Sequence, residues 1–213
     1  WEILKAKGFS ENRIQLSADH MRRAHDALNH MLPIHFKQIG KQELTDLLWE
    51  YKSFVLLPEE FKLRLISAVI MWNANLHYRP RFTAVLDILK NIKAKKTAVL
   101  GGSIFYYHAD KIRITTEFQS IKDKTVNCTP GLVWRNTWEV KREIKDAYIV
   151  AIGIEGNKQL SKQQRSVMPY RSRIIQPGIF LKGKLLVAPT LDSESSEYLS
   201  FCRINFNDFL ENH

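Results

Sequence analysis

Thr97-Ala98-Val99-Leu100-Gly101-Gly102-Ser103-Ile104-Phe105-Tyr106-Tyr107-His108-Ala109-Asp110-Lys111-Ile112-Arg113-Ile114-Thr115-Thr116-Glu117 is the stretch that decides how this chain is organised. Three short runs, Thr97–Leu100, Ser103–His108 and Lys111–Glu117, are β-branched and aromatic, with Gly101-Gly102 and Ala109-Asp110 between them. Such side chains suit a pleated surface and the small or polar residues suit turns, so the spacing predicts a meander of strands.

Upstream the rhythm is helical. From Ser10 to about Phe36 the positions Ile14, Ala18, Met21, His25, Leu28 and Leu32 follow the three-and-four spacing of one helix face. Ser10 is a favourable N-cap with Glu11 in the first turn, and Pro33 is expected to bend or end the helix. Gly40 separates it from a shorter helical segment, Glu43 to Tyr51. A second long helix is expected from Pro58, with Glu59 and Glu60 in its first turn and Phe61, Leu65, Ala68, Val69 and Trp72 on its buried face. A third opens at Pro80, carries Phe82, Val85, Leu86 and Leu89, and runs out in Lys90, Lys93, Lys95 and Lys96.

Downstream, residues 119–131 are polar with Pro130-Gly131 and are expected to be a loop. Strands are expected at Thr137–Lys141, Ala147–Gly153, Gly178–Leu181, Lys184–Ala188 and Leu199–Asn205, with a helix over Gln159–Ser172 broken at Pro169. The fold class is therefore α+β: an all-α module over 1–96 followed by a β-rich module over 97–213 with one or two helices.

The 213 residues carry 32 Lys and Arg against 22 Asp and Glu, net +10, and 45% are hydrophobic. That composition supports a core and favours polyanionic partners, nucleic acid or an anionic membrane surface. Cys128 and Cys202 stand far apart in no CxxC pattern, which argues against a zinc or disulfide framework and fits a reducing cytoplasm. No run of about 18 apolar residues calls for a membrane span. The chain begins at Trp1 and not at Met, in what looks like mid-protein sequence, so it is taken for a piece of a longer protein.

The sequence carries no GxxxxGK[ST], GxGxxG, HExxH or GxSxG, and none of its residues is expected to serve as a catalytic, metal or cofactor ligand. Gly101-Gly102-Ser103 fits a hairpin turn better than a phosphate loop, because no lysine follows in register. His20, His25, His30 and His35 recur every five residues, which turns successive rings onto different helix faces and prevents an i,i+4 metal pair.

Charge clustering says more. The first 96 residues are net +6 and the rest net +4, but residues 78–96 hold Arg79, Arg81, Lys90, Lys93, Lys95 and Lys96 against Asp87 alone. Residues 156–191 hold Lys158, Lys162, Arg165, Arg171, Arg173, Lys182 and Lys184 with no acid, and Tyr170 among them. Such stretches grip a phosphate backbone through counterion release and arginine forks. Arg79, Arg81, Lys95, Lys96, Lys162, Arg165, Arg171 and Arg173 are the candidates for phosphate contact; Arg13, Arg22 and Arg23 rank below them, because a long amphipathic helix normally carries cations on its solvent face. The plainer reading is a solvated face whose acids lie elsewhere.

Several motifs together resemble one family. Tyr78-Arg79-Pro80-Arg81-Phe82, Leu86, Leu89, Leu100-Gly101-Gly102, Ile112-Arg113-Ile114 and Thr116-Glu117 are similar to the helix-to-hairpin passage of bacterial tRNA(Ile)-lysidine synthases. Gly8-Phe9-Ser10-Glu11-Asn12-Arg13 and Arg22-Arg23 resemble the start of that family's helical region. In the C-terminal half Trp134 or Trp138, Glu139-Val140, Ile149–Gly153, Gln159-Leu160, Pro169 and Phe180-Leu181-Lys182-Gly183-Lys184-Leu185-Leu186-Val187-Ala188-Pro189 agree with it as well. The order of these short motifs carries the resemblance, which covers most of the chain and is nearest to the alphaproteobacterial form. The family's SGGxDS ATP loop and its N-terminal adenylating domain are not in these 213 residues.

The resemblance implies a parent ligase that adenylates the wobble cytidine of an isoleucine tRNA with ATP and then admits lysine, forming lysidine. It implies that this part needs neither ATP nor lysine, is inactive alone, binds isoleucine tRNA with a CAU anticodon, and partners its own N-terminal catalytic domain in the cytoplasm, away from membranes. Two other readings remain open: a non-enzymatic basic domain that docks protein or generic RNA, and, less favoured for want of a tight helix-turn-helix, a DNA-binding regulator.

Overall fold

The computed structural model describes residues 2–8 and 10–212; Trp1 and the Phe9 of the quoted Gly8–Arg13 motif lie outside them. After a short helix α1 (Glu2–Ala6), α2 (Glu11–Ile39) starts where expected, with the Ser10 hydroxyl accepting from Arg13 N–H at 3.3 Å. It passes through Pro33 without ending. The last turns bury Leu32, Phe36 and Ile39, and that packing outweighs one lost backbone bond. Further up the helix, the expected apolar face is open: Ile14 and Met21 are exposed.

The segment Glu43–Tyr51, expected as helix, is a hairpin. Strands β1 (Gly40–Glu43) and β2 (Asp46–Glu50) pair antiparallel around Leu44, whose φ is +54°. The unbroken run Leu47-Leu48-Trp49 is buried on both faces, and a short continuous apolar run does not distinguish a central strand from a buried helix. Helices α3 (Tyr51–Leu56), α4 (Glu59–Ala74) and α5 (Phe82–Lys93) follow, then β3 (Ala98–Leu100), β4 (Ser103–His108) and β5 (Lys111–Thr116). The five strands form one antiparallel sheet in the order β1-β2-β5-β4-β3. β2 and β5 meet in register, Leu47 opposite Ile114 and Trp49 opposite Ile112.

On α4 the expected Leu65, Val69 and Trp72 are buried, joined by Leu63, Ile66 and Ile70, so most of its circumference is covered. On α5 the buried set is Val85, Ile88, Leu89 and Ile92, whereas Phe82 is exposed. Lys96 and Thr97, where the two modules were expected to divide, lie between α5 and β3, and both elements contribute to one apolar core.

The remainder builds two smaller sheets: β11-β10-β9-β6 and β12-β8-β7. Their strands are β6 (Val126–Asn127), β7 (Val133–Trp134), β8 (Trp138–Val140), β9 (Tyr148–Ala151), β10 (Pro177–Leu181), β11 (Lys184–Val187) and β12 (Leu199–Phe201). Between β9 and β10 run α6 (Gly153–Gln159), α7 (Lys162–Ser166) and α8 (Tyr170–Arg173), the last two separated at Pro169 as expected. Trp134 and Trp138 face each other across β7 and β8, and both are buried. The chain is thus α+β, with an N-terminal helical region followed by a β-rich one.

Several contacts among the described residues join the halves. α8 lies on β5, with Tyr106 and Ser172 hydroxyls 3.2 Å apart and Gln176 Nε2 donating to Thr45 Oγ1 at 3.2 Å. The last helix, α9 (Phe206–Glu211), returns to the first core. There Phe206 is fully buried against Phe36, Trp72 and Phe209, and Trp72 Nε1 donates to Ile204 O at 2.8 Å.

Candidate nucleic-acid interface

The loop after α5 carries Lys95 in a left-handed conformation, φ +56°, its N–H bonded back to Ile92 O. That turn lays the Lys95 ammonium over two rings, 4.9 Å from the Tyr51 centroid and 4.5 Å from that of Tyr107, and 3.3 Å from the Tyr107 hydroxyl. Lys96 follows, exposed. From the other charged stretch, 74 residues along, Arg171 donates to Thr97 Oγ1 at 3.3 Å and lies 5.2 Å from the Tyr106 ring. Folding therefore brings Arg171 to Thr97, next to Lys96 and two residues from Lys95, with Lys95 against the Tyr107 face of β4 and Arg171 against the Tyr106 face, since successive strand residues point to opposite sides. Neighbouring cations are already matched: Lys93 pairs with Glu59 and Lys111 with Glu50. Among the described residues no ion pair holds Lys95, Lys96 or Arg171, which leaves a cationic surface with ring faces beside it.

The other expected residues divide. Arg81 is exposed at the opposite end of α5, whose 12 residues span about 18 Å. Arg79 is exposed too, on the rim of a cleft of about 250 Å³ shared with Asn29, Arg64 and His77. Lys162 and Arg165 sit on α7; Lys162 is exposed, while Arg165 caps the end of α6 by donating to Leu160 O at 3.0 Å and Lys158 O at 2.9 Å. Phosphate contact does not fit Arg173. It is 8% exposed and donates to Asn157 Oδ1 at 2.7 Å, to Met168 O at 2.9 Å and to Arg165 O, so its fork holds the α6–α8 segment together. Burial, and then the charge of Arg165, push this guanidinium below its ordinary value.

The histidines on α2 do not converge. His25 meets Asn29 and Arg64, and His35 packs on Phe61 with centroids 4.1 Å apart. Gly101 and Gly102 form the tight turn expected, at φ +56° and +73°. Arg135 and Arg203, which drew no attention in the sequence because no other cation adjoins them, prove to be the most deeply held arginines of a second cleft. Among the described residues, no helix is long and apolar enough to cross a membrane.

Fold and surface together define a basic α+β protein whose two distant charged stretches meet where Arg171 bonds Thr97. In sequence it is similar to tRNA(Ile)-lysidine synthases. The enzyme of that name from Ruegeria pomeroyi is 26% identical over 187 residues, which is 87% of this chain and 44% of that protein. Those of Wolbachia pipientis wMel and of the Wolbachia of Brugia malayi are 34% and 30% identical over 132 residues, 59% of this chain and 31% of each of theirs. The chain thus spans less than half the length of the curated relatives it matches. No protein-family model matches it. The resemblance carried by the motifs is borne out by these three relatives.

Proposed function

We propose that this chain is the tRNA-gripping C-terminal portion of a tRNA(Ile)-lysidine synthase. Adenylation of the wobble cytidine with ATP and attack by lysine belong, in this reading, to an N-terminal catalytic domain beyond these residues, and the part described here is inactive alone. The observation that carries the reading is that Arg171 reaches Thr97 beside Lys95 and Lys96, so that exposed cations of the two charged stretches, none held in an ion pair among the described residues, meet at one edge of the first sheet. Ammonium groups supply point charges to phosphates, the arginine supplies a fork, and ring faces accept a sugar or an unstacked base. Phosphate contacts of this kind set register and orientation, and shape and exposed bases select the tRNA. Arg79, Arg81 and Lys162 extend the same role along the surface.

The test is a titration of the chain with isoleucine tRNA bearing a CAU anticodon and with a control tRNA, at two salt concentrations. Affinity that falls steeply with salt and favours the cognate tRNA supports the reading. Salt-sensitive binding without preference reduces it to a generic RNA grip. Absence of binding favours a domain that docks protein.

A further inference from the structure

A cleft of about 370 Å³ lies where the end of α4, the Gly101-Gly102 turn and the β7–β8 loop meet. At about ten times the ~30 Å³ share of one water, it has room for a small hydrated group. Arg135, Arg203 and Lys124 line it, and among the described residues no acid does.

Arg135 sits at φ +56° in the β7–β8 loop, a conformation that costs a side chain of this size of the order of 1 kcal/mol or more. The loop is fixed by the Thr137 hydroxyl donating to Arg135 O at 2.8 Å. One guanidinium nitrogen, Nη2, donates to Thr116 Oγ1 at 2.9 Å. Thr116 in turn donates to Asn73 Oδ1 at 2.8 Å, and Asn73 Nδ2 donates to Ser103 Oγ at 2.9 Å. This chain of bonds locks the fork against α4, β4 and β5. Arg203 comes from beyond β12, its guanidinium 4.9 Å from the Trp72 ring, as that of Arg135 is 5.2 Å from the Trp134 ring.

Each fork is therefore held by an aromatic face, and each is incomplete. Arg135 Nη1 and Arg203 Nη1 are both shut off from solvent, and neither has an acceptor among the described residues. Burial, and then the charge of Arg203, press Arg135 down to about 9; burial presses Arg203 to about 10. Two half-buried cations near each other without a counter-charge are a costly arrangement unless something anionic completes it. Gly102 also lines the cleft, where a Cβ would stand 3.2 Å from Ser120 Oγ.

We infer that this cleft is a binding site for one phosphate group, gripped by Arg135 and Arg203. The planar forks match its oxygens, and an anion beside them supplies the counter-charge that both guanidiniums lack among the described residues. The group is either free phosphate or a phosphodiester of an RNA backbone. The second source rests on the tRNA reading above; the site itself does not.

The experiment measures binding of inorganic phosphate, by calorimetry and by thermal shift against chloride at matched ionic strength. It also measures binding of a short single-stranded RNA, in the wild-type chain and in Arg135→Met and Arg203→Met. Methionine keeps much of each stem's packing. Relief of buried like charge leaves Arg203→Met at least as heat-stable as the wild type in chloride, so lost binding is not lost folding. The expected result is wild-type stabilisation by phosphate and a loss of at least about tenfold in affinity in both variants, the low end for a charge-assisted hydrogen bond. Loss for phosphate alone assigns the site to the free anion, and loss for RNA assigns it to the backbone. The inference is overturned if neither probe binds more weakly to the variants than to the wild type. A chain that binds phosphate through these arginines but not tRNA refutes the proposed function and leaves this site standing.

Discussion

Replacing Lys95, Lys96 and Arg171 together by glutamine separates a phosphate-gripping face from a solvated one. Each contact released to counterions contributes about 0.7 to the salt slope of affinity for single strands and about 0.9 for duplex. Three contacts therefore remove about 2 to 3 from the slope, and at ~0.15 M salt they weaken binding by about 50- to 170-fold. The fold survives, because the structural loss is confined to exposed contacts: the Lys95 ammonium over Tyr51 and Tyr107 and the Arg171 guanidinium beside Tyr106, each of the order of 0.5–1 kcal/mol at such sites. Filter binding of tRNA between ~50 and ~200 mM salt reads the slope, and circular dichroism of the same samples verifies folding. A variant that is folded and keeps the wild-type slope refutes the assignment of this face to RNA.

Three further outcomes are expected. Phe206→Ala leaves a hole between Phe36, Trp72 and Phe209 and lowers stability by about 3–5 kcal/mol in urea unfolding, releasing α9 from the first core. An unchanged midpoint would show that α9 is not fastened there. Gly101→Ala forces a side chain into φ +56° with its Cβ 2.7 Å from Ile70, and it costs at least about 1–2 kcal/mol by the same assay. Lys62 is buried on α4, and burial, followed by the charge of Lys93, lowers its pKa. Between the folded and unfolded values the unfolded chain holds more protons, so this residue's contribution to stability rises with pH. Lys62→Met is therefore more heat-stable than wild type near neutral pH, and the gap closes as pH climbs towards the ordinary lysine value of about 10.4. Parallel pH profiles would contradict this.

Much of the framework was legible along the chain. Ser10 capped a helix, Pro58 opened another, Pro169 split α7 from α8, and the β-branched and aromatic runs after Gly101-Gly102 gave β4 and β5 to within a residue of their observed ends. These are local effects: a cap, a missing N–H and a positive φ act over four or five residues, so neighbours in sequence are enough to reveal them. The sheet edge formed by Gly40–Glu50 was hidden because Leu47-Leu48-Trp49 is apolar on every side, and only pairing with Ile112 and Ile114 makes it a strand.

Charge and composition by themselves pointed to a polyanionic partner, and the ordered motifs to one family, because both are properties of the chain as written. Tertiary structure alone decided which cations share a surface. Arg171 reached Thr97 because α8 docks on β5, whereas Arg173, two residues away, turned inward to satisfy backbone carbonyls. It also placed Arg135 and Arg203, 68 residues apart, around one cleft. An arginine's role depends on which acceptors lie within about 3 Å of its five donors, and that distance is set by long-range packing which no local pattern records.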